Sequence, residues 1–331
     1  MDATESRRIE IFAPFGEAFE LMQNMLFRPF DLGKWFVIGF AAWLATFFGG
    51  MGFGYRWNFR DHHWNWRFEH HGGPIQIHNA PAWAVPFMVL AVLIVLAVVA
   101  LFIWINSRSR FVFTDCMVRN RGAILAPWKE YRVEGDRYFV FQIVISFCSM
   151  IIFGGLALLW LVGDYTGQRM IPLALLIFLG VCLGLIAIVV LAIMHFMVPV
   201  MYRQRCSAGA AFGQVWSLIA AHPATFILLG LFYLVLAIAA GMIACLVTCV
   251  TCCIAAIPYI GTVILLPVVI VLYGFALCFL RQFGDPYDVW AIVRREEAPP
   301  LPPSAAMPPV QEPPLSPPPT PGQPPLPPPI T

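Results

Sequence analysis

The chain has 331 residues, of which 60% are hydrophobic, 15% aromatic and only 11% charged. Soluble domains carry about a quarter of their residues as charges, so this balance excludes a water-soluble globular protein. A formal net charge of +2 is too small to draw in a polyanion, which removes nucleic acid from the partners and leaves the placement of the Lys and Arg as the informative quantity.

Residues 1–33 are charged throughout and have no apolar run followed by a small-residue cleavage site, so no removable signal peptide is expected. Within them Phe15, Ala18, Phe19, Met22 and Leu26 recur at three- and four-residue steps behind Pro14. That spacing predicts an amphipathic helix, lying on the protein's own bundle at the membrane interface because its polar face is acidic.

Six apolar runs follow, at 34–54, 82–105, 138–162, 171–201, 224–256 and 259–280, with Asp31 as a cap ahead of the first. They define an all-α, polytopic transmembrane bundle of six helices over 34–285. The fourth run is longer than one crossing needs and is expected to tilt or to project. Six crossings put both termini on one side. The cationic residues agree: sixteen Lys and Arg fall on the side shared by the termini against four (Arg56, Arg60, Arg67 and Arg169) on the other. Positive residues mark the cytoplasmic face, so both termini are expected inside, in the cell membrane, or the inner membrane of a Gram-negative cell.

In the first external loop Tyr55, Trp57 and Phe59 alternate with Arg56, Asn58 and Arg60, and Trp64, Trp66 and Phe68 alternate likewise beyond Asp61 and His62. A period of two predicts a small β-hairpin with one aromatic face, suited to the headgroup zone. His62, His63, His70 and His71 decorate it. Two such pairs facing each other could hold Zn or Cu, with Glu69 or Asp61 as a further ligand, although neighbouring histidines on a strand point to opposite faces and only one of each pair can contribute. The simpler reading is a solvated loop anchored by its aromatics.

The segment 107–137, SRSRFVFTDCMVRNRGAILAPWKEYRVEGDR, is the most cationic of the chain and lies between the second and third runs. Arg108, Arg110, Arg119 and Arg121 are the candidates for contact with anionic lipid or a partner protein, each adding at best about 1 kcal/mol of attraction to a headgroup surface. Asp115, Glu130, Glu134 and Asp136 offset part of that charge. Cys245, Cys249, Cys252 and Cys253 share a face of the fifth run, where small weakly polar residues allow close helix packing, and the nine cysteines are expected to be reduced.

GEAFELMQNMLFRPF, GAILAPWKEYRV and SAGAAFGQVWSLIAAHP each precede a pair of runs on the cytoplasmic side. The third has a stripe of Phe212, Val215, Trp216 and Ile219, with Ser207 as its cap. One amphipathic helix plus one membrane hairpin is thus expected three times over. The stretches RPFDLGKWFVIGFAAWL, SRSRFVFTDCMVRNRGAILAPW and MVPVMYRQRCSAGAAFGQVWSLIAAHPATF resemble a group of uncharacterised six-span prokaryotic membrane proteins. These are similar in layout to the membrane domain accompanying some glycerophosphodiester phosphodiesterases. No soluble phosphodiesterase domain is present, so the resemblance implies a fold and no activity.

Residues 286–331 form a tail with seventeen prolines from 299 onward and PPLPP at 299–303 and 324–328. It is expected to be a disordered cytoplasmic arm, either a spacer or the ligand of a proline-reading protein partner. No phosphate loop, HExxH or GxSxG occurs, and no Asp, Glu, Lys or Arg lies in the cores of the six runs. A non-enzymatic membrane scaffold or regulator acting through its basic cytoplasmic loop, 107–137, is therefore expected, with a carrier of an apolar or lipid-like substrate and metal sensing through the external His-rich loop as the alternatives. The metal reading predicts micromolar or tighter Zn or Cu binding by a peptide covering 55–78 in calorimetry, and weaker binding discards it.

Overall fold

The computed structural model describes residues 10, 12–46, 84–165, 170–251 and 254–297. The external loop with His62, His63, His70 and His71, its expected β-hairpin, and the tail beyond 297 lie outside the described residues. The described chain is helical and contains no strand. It forms α1 (Phe12–Leu26), α2 (Leu32–Thr46), α3 (Ala84–Val118), α4 (Leu125–Glu130), α5 (Arg132–Tyr165), α6 (Met170–Gln204), α7 (Ala208–Ala221), α8 (Pro223–Val250), α9 (Pro258–Ile264), α10 (Leu266–Arg281) and α11 (Ala291–Glu297). Residues up to Val293 make one compact unit, and the second begins at Arg294.

Four helices, α3, α5, α6 and α8, are long and apolar enough to cross a membrane. None of the most apolar 18-residue stretch of α3 or of α5 is buried by protein. Leu93, Ile94, Phe147, Phe178 and Leu185 all face outward. A solvent of hydrocarbon is what makes that exposure stable, and it identifies the chain as a membrane protein.

At 35 residues α3 and α6 rise about 52 Å each, against a hydrocarbon core of about 30 Å. Their surplus turns therefore lie beyond the apolar zone. The first half of the basic segment, 107–118, is such a continuation of α3 and not a loop. The remainder supplies α4 and the first turns of α5, with Tyr131 alone between them.

The protein-filled core is concentrated at this same end. Phe111, Phe113, Cys116 and Met117 of α3 meet Ile193, Met197, Val200 and Met201 of α6 there, around a nearly enclosed α10. A helix apolar on all sides must be sheathed, and α10 buries eleven of its sixteen residues. Rings of Phe15 and Phe232 meet Phe275, and Phe226 meets Phe279, in tilted and edge-to-face contacts of 5.3–6.5 Å.

The amphipathic α1 lies against α10 at Gly274, where an added Cβ would stand 3.3 Å from Leu21 and 3.5 Å from Ala18. Its buried stripe is Pro14, Ala18, Met22, Met25 and Leu26. Phe19, expected in that stripe, is on the outer face. Both expected caps form: Asp31 Oδ1 accepts from the amides of Gly33 and Lys34 at 2.8 and 3.3 Å, and Ser207 Oγ accepts from Ala210 at 3.3 Å. In α7, Ala208, Ala211 and Val215 are buried while Trp216 faces out.

The apolar run 259–280 is divided. Pro267 has no N–H to give, so the helical ladder is interrupted at Leu265 and resumes in α10. Before the break, α9 packs tightly on the short 3-10 turn Ile254–Ala256 that follows α8. A Cβ at Gly261 would collide with the carbonyl oxygen of Ala255, so only glycine permits that approach.

Phe275→Ala empties a fully buried site and is expected to lower stability in detergent by about 3 kcal/mol. Phe178→Ala, on the outer face, is expected to change it by less than about 0.5 kcal/mol. Thermal unfolding of both variants checks the assignment of inside and outside.

Candidate functional site

Beyond the apolar zone, the end of α3, α4, the start of α5 and the end of α6 bring a set of charges together. Asp115 of α3 has no exposed side-chain surface. One oxygen accepts the Tyr202 hydroxyl at 3.0 Å and pairs with Arg119 at 3.1 Å; the other takes Nε and Nη2 of Arg121 at 3.1 and 3.0 Å. A carboxylate removed from water needs this density of donors to remain ionised.

Next to it, Glu130 links Arg119 at 3.6 Å to Arg205 at 2.6 Å, and Arg205 reaches on to Glu134 at 3.5 Å. The Arg205 guanidinium sits 3.7 Å from the centre of the Tyr131 ring, which stacks on Tyr202 at 4.6 Å. Burial pushes the Tyr131 phenol up to about 12, so it stays protonated in any physiological buffer. Arg205 takes a left-handed conformation, with φ of 53°, just past the end of α6. Glycine or asparagine usually stands in that place; the two carboxylates and the Tyr131 ring offset a backbone strain of about 1 kcal/mol.

A second cluster joins α3 to α5. Arg108 gives Nε and Nη2 to Asp136 at 2.7–2.9 Å, and Trp104 Nε1 donates to the same carboxylate at 2.9 Å. The guanidinium lies 4.4 Å from the Trp104 ring centre and 5.4 Å from that of Trp128. Gly135 makes room for its stem: a Cβ there would stand 2.8 Å from Arg108 Cγ. Deeper in the bundle Asn106 donates to the carbonyls of Leu44 and Ala45 at the end of α2. Its own oxygen receives Arg110, whose Nη1 is 3.1 Å from the Tyr138 hydroxyl.

Of the four arginines singled out by sequence, Arg108, Arg119 and Arg121 are therefore bound by carboxylates of the protein. Arg110 makes no ion pair among the described residues, and neither do Arg132 or Arg137. Asp115, Asp136, Tyr131, Tyr202 and Arg205 carry the arrangement and were not singled out. Only the i,i+4 spacing of Asp115 and Arg119 was visible in advance.

His195 packs edge-on against Tyr273, with ring centres 5.6 Å apart, and its Nε2 is enclosed without a hydrogen-bond partner. Cys245 and Cys249 are free thiols on the outside of α8, while Cys252 and Cys253 lie outside the described residues. No group of three or more His, Cys, Asp or Glu among the described residues is placed to hold a metal.

An all-helical membrane bundle closed at one end by a lattice of ion pairs is the class this geometry defines. Residues 10–284 match the family of unknown function DUF7544, so the chain belongs to that family. The match begins just ahead of α1 and ends after α10, so the ion-paired end and the four long helices lie within it. No curated protein matches the chain, and no solved structure does.

Asp115→Asn takes the buried acid away from Arg121 and leaves Arg119 with Glu130, and is expected to destabilise the protein by about 3 kcal/mol. Asp285→Asn, at an exposed pair with Arg203, is expected to cost less than about 0.5 kcal/mol. Gly135→Ala is expected to lower the unfolding midpoint through Arg108, and the loss is expected to be smaller in an Arg108→Ala background.

Proposed function

We propose that the protein is a non-enzymatic, six-span membrane protein with both termini in the cytoplasm, serving as a scaffold or regulator whose working surface is its ion-paired basic end. The long helices α3, α5, α6 and α8 supply four crossings in this scheme, the apolar run that contains α2 a fifth, and α9 with α10 a sixth. The distribution of Lys and Arg along the sequence supports that orientation. The short helices α1, α4 and α7 each stand ahead of a hairpin in this scheme, in keeping with three related units.

The observation that carries the reading is the internal ion pairing of the basic segment. Carboxylates of α3, α4 and α5 hold Arg108, Arg119, Arg121 and Arg205 in place. Lys129, Arg132 and Arg137 are exposed and make no ion pair among the described residues, so their charge is offered outward from a fixed frame. Fixed charge at a membrane surface suits recognition, because a partner need not order it on binding.

A carrier of an anionic amphiphile is the second reading, favoured by Arg110. This half-buried guanidinium is hydrogen-bonded to Asn106 and Tyr138 and makes no ion pair among the described residues, and a cation between membrane helices without a paired acid is a natural place for a ligand's negative group.

Lys129→Glu is the test. Protein purified from native membranes in mild detergent is expected to lose its co-purifying partners by at least about fivefold, in line with about 1.4 kcal/mol per tenfold, with an unchanged unfolding midpoint. An identical retained set contradicts the scaffold. Uptake of an anionic amphiphile into reconstituted vesicles, abolished by Arg110→Gln, establishes the carrier instead. Reporter fusions after residue 297 are expected to read as cytoplasmic.

A further inference from the structure

Between the start of α5 and the start of α7 runs an open groove of about 800 Å³. Arg132, Val133, Asp136, Arg137, Val140, Phe141 and Val144 line one side, and Ser207 and Ala208 the other. The α5 residues fall at steps of three, four or one, so they form one stripe along the helix. Polar groups stand at its beginning, and beyond Arg137 everything is apolar.

The acid in the groove is already engaged: Asp136 receives both nitrogens of Arg108 and the Trp104 indole. Glu134 is turned to Arg205. Arg132 and Arg137 therefore stand as exposed cations without an ion pair among the described residues. Further along, Val140 and Val144 are more than half exposed, while Phe141 packs on Phe212 of α7.

We propose that this groove seats one anionic phospholipid of the adjoining leaflet, its phosphate between Arg132 and Arg137 and one acyl chain along Val140, Phe141 and Val144. From Arg132 to Val144 the helix rises about 18 Å, close to the half-thickness of about 20 Å of a bilayer counted with its headgroups. Charge and apolar length thus have the order and the scale of a lipid, head outward and tail inward. Two guanidiniums favour a headgroup with a net negative charge over a zwitterionic one, whose ammonium they repel. A water-soluble phosphate would leave the valines without purpose, and a protein helix would leave the arginines without an anion. The inference goes beyond the scaffold reading and needs only that α5 crosses the bilayer.

The test uses the full chain in nanodiscs of equal parts phosphatidylglycerol and phosphatidylcholine, followed by native mass spectrometry of the released protein. Wild type is expected to retain one phosphatidylglycerol in about tenfold preference, each cation near the surface adding to the attraction. Arg132→Gln with Arg137→Gln is expected to abolish the preference at an unchanged unfolding midpoint. Arg132→Lys with Arg137→Lys is expected to restore it in part, since an ammonium keeps the charge but not the forked geometry. Arg295→Gln, outside the groove, is expected to leave it intact. Equal retention of both lipids by wild type, an undiminished preference in the double glutamine variant, or displacement of the lipid by glycerol phosphate as readily as by short-chain phosphatidylglycerol overturns the proposal. None of these outcomes bears on Lys129 or on the partners retained through it.

Discussion

A carboxylate shut away from water, Asp115, is the constraint on which the arrangement depends. Its two oxygens are shared among Tyr202, Arg119 and Arg121, and the first two of these lead on to different elements. Tyr202 belongs to α6 and stacks on Tyr131 at the head of α5; Arg119 reaches Glu130 of α4, and through it Arg205. Desolvating one acid is costly unless all of its partners arrive together. Four chain segments are thereby committed to one register, which a purely greasy contact would not demand.

Above this lattice the helices have little reason to hold one another, because lipid tails are as apolar as leucine. The structure follows that logic. Side chains of α3, α5 and α6 point outward in the apolar zone, while the large buried rings and thioethers gather around α10 at the charged end. Rigidity is therefore concentrated beside the membrane surface. The exposed cations of the basic segment that make no ion pair among the described residues, Lys129, Arg132 and Arg137, are carried on that part, and any recognition they take part in begins from a preset geometry.

Much of the fold was legible in the sequence because a bilayer reduces it to counting apolar length. The runs at 138–162, 171–201 and 224–256 became α5, α6 and α8, and the caps at Asp31 and Ser207 formed as their side chains dictated. The amphipathic stripes were half legible: Ala18, Met22 and Val215 face inward, but Phe19 and Trp216 do not, since a helix beside lipid can present an apolar ring to either side. Two features were hidden. The basic segment reads as a loop by its charge, yet α3 continues through it, because Asp115 and Asp136 neutralise the arginines across the fold and no local spacing reveals Asp136 as the partner of Arg108. The last apolar run reads as one span, yet Pro267 and the close approach at Gly261 split it into α9 and α10.

Hydrogen exchange of the whole protein in bilayers addresses the central claim most directly, by comparing the amides of 107–118 and 132–142 with those of α10. A basic end locked by its ion pairs predicts protection there as long-lived as in α10, and its collapse in Asp115→Asn. Exchange across 107–118 as fast as in an open loop would contradict the account.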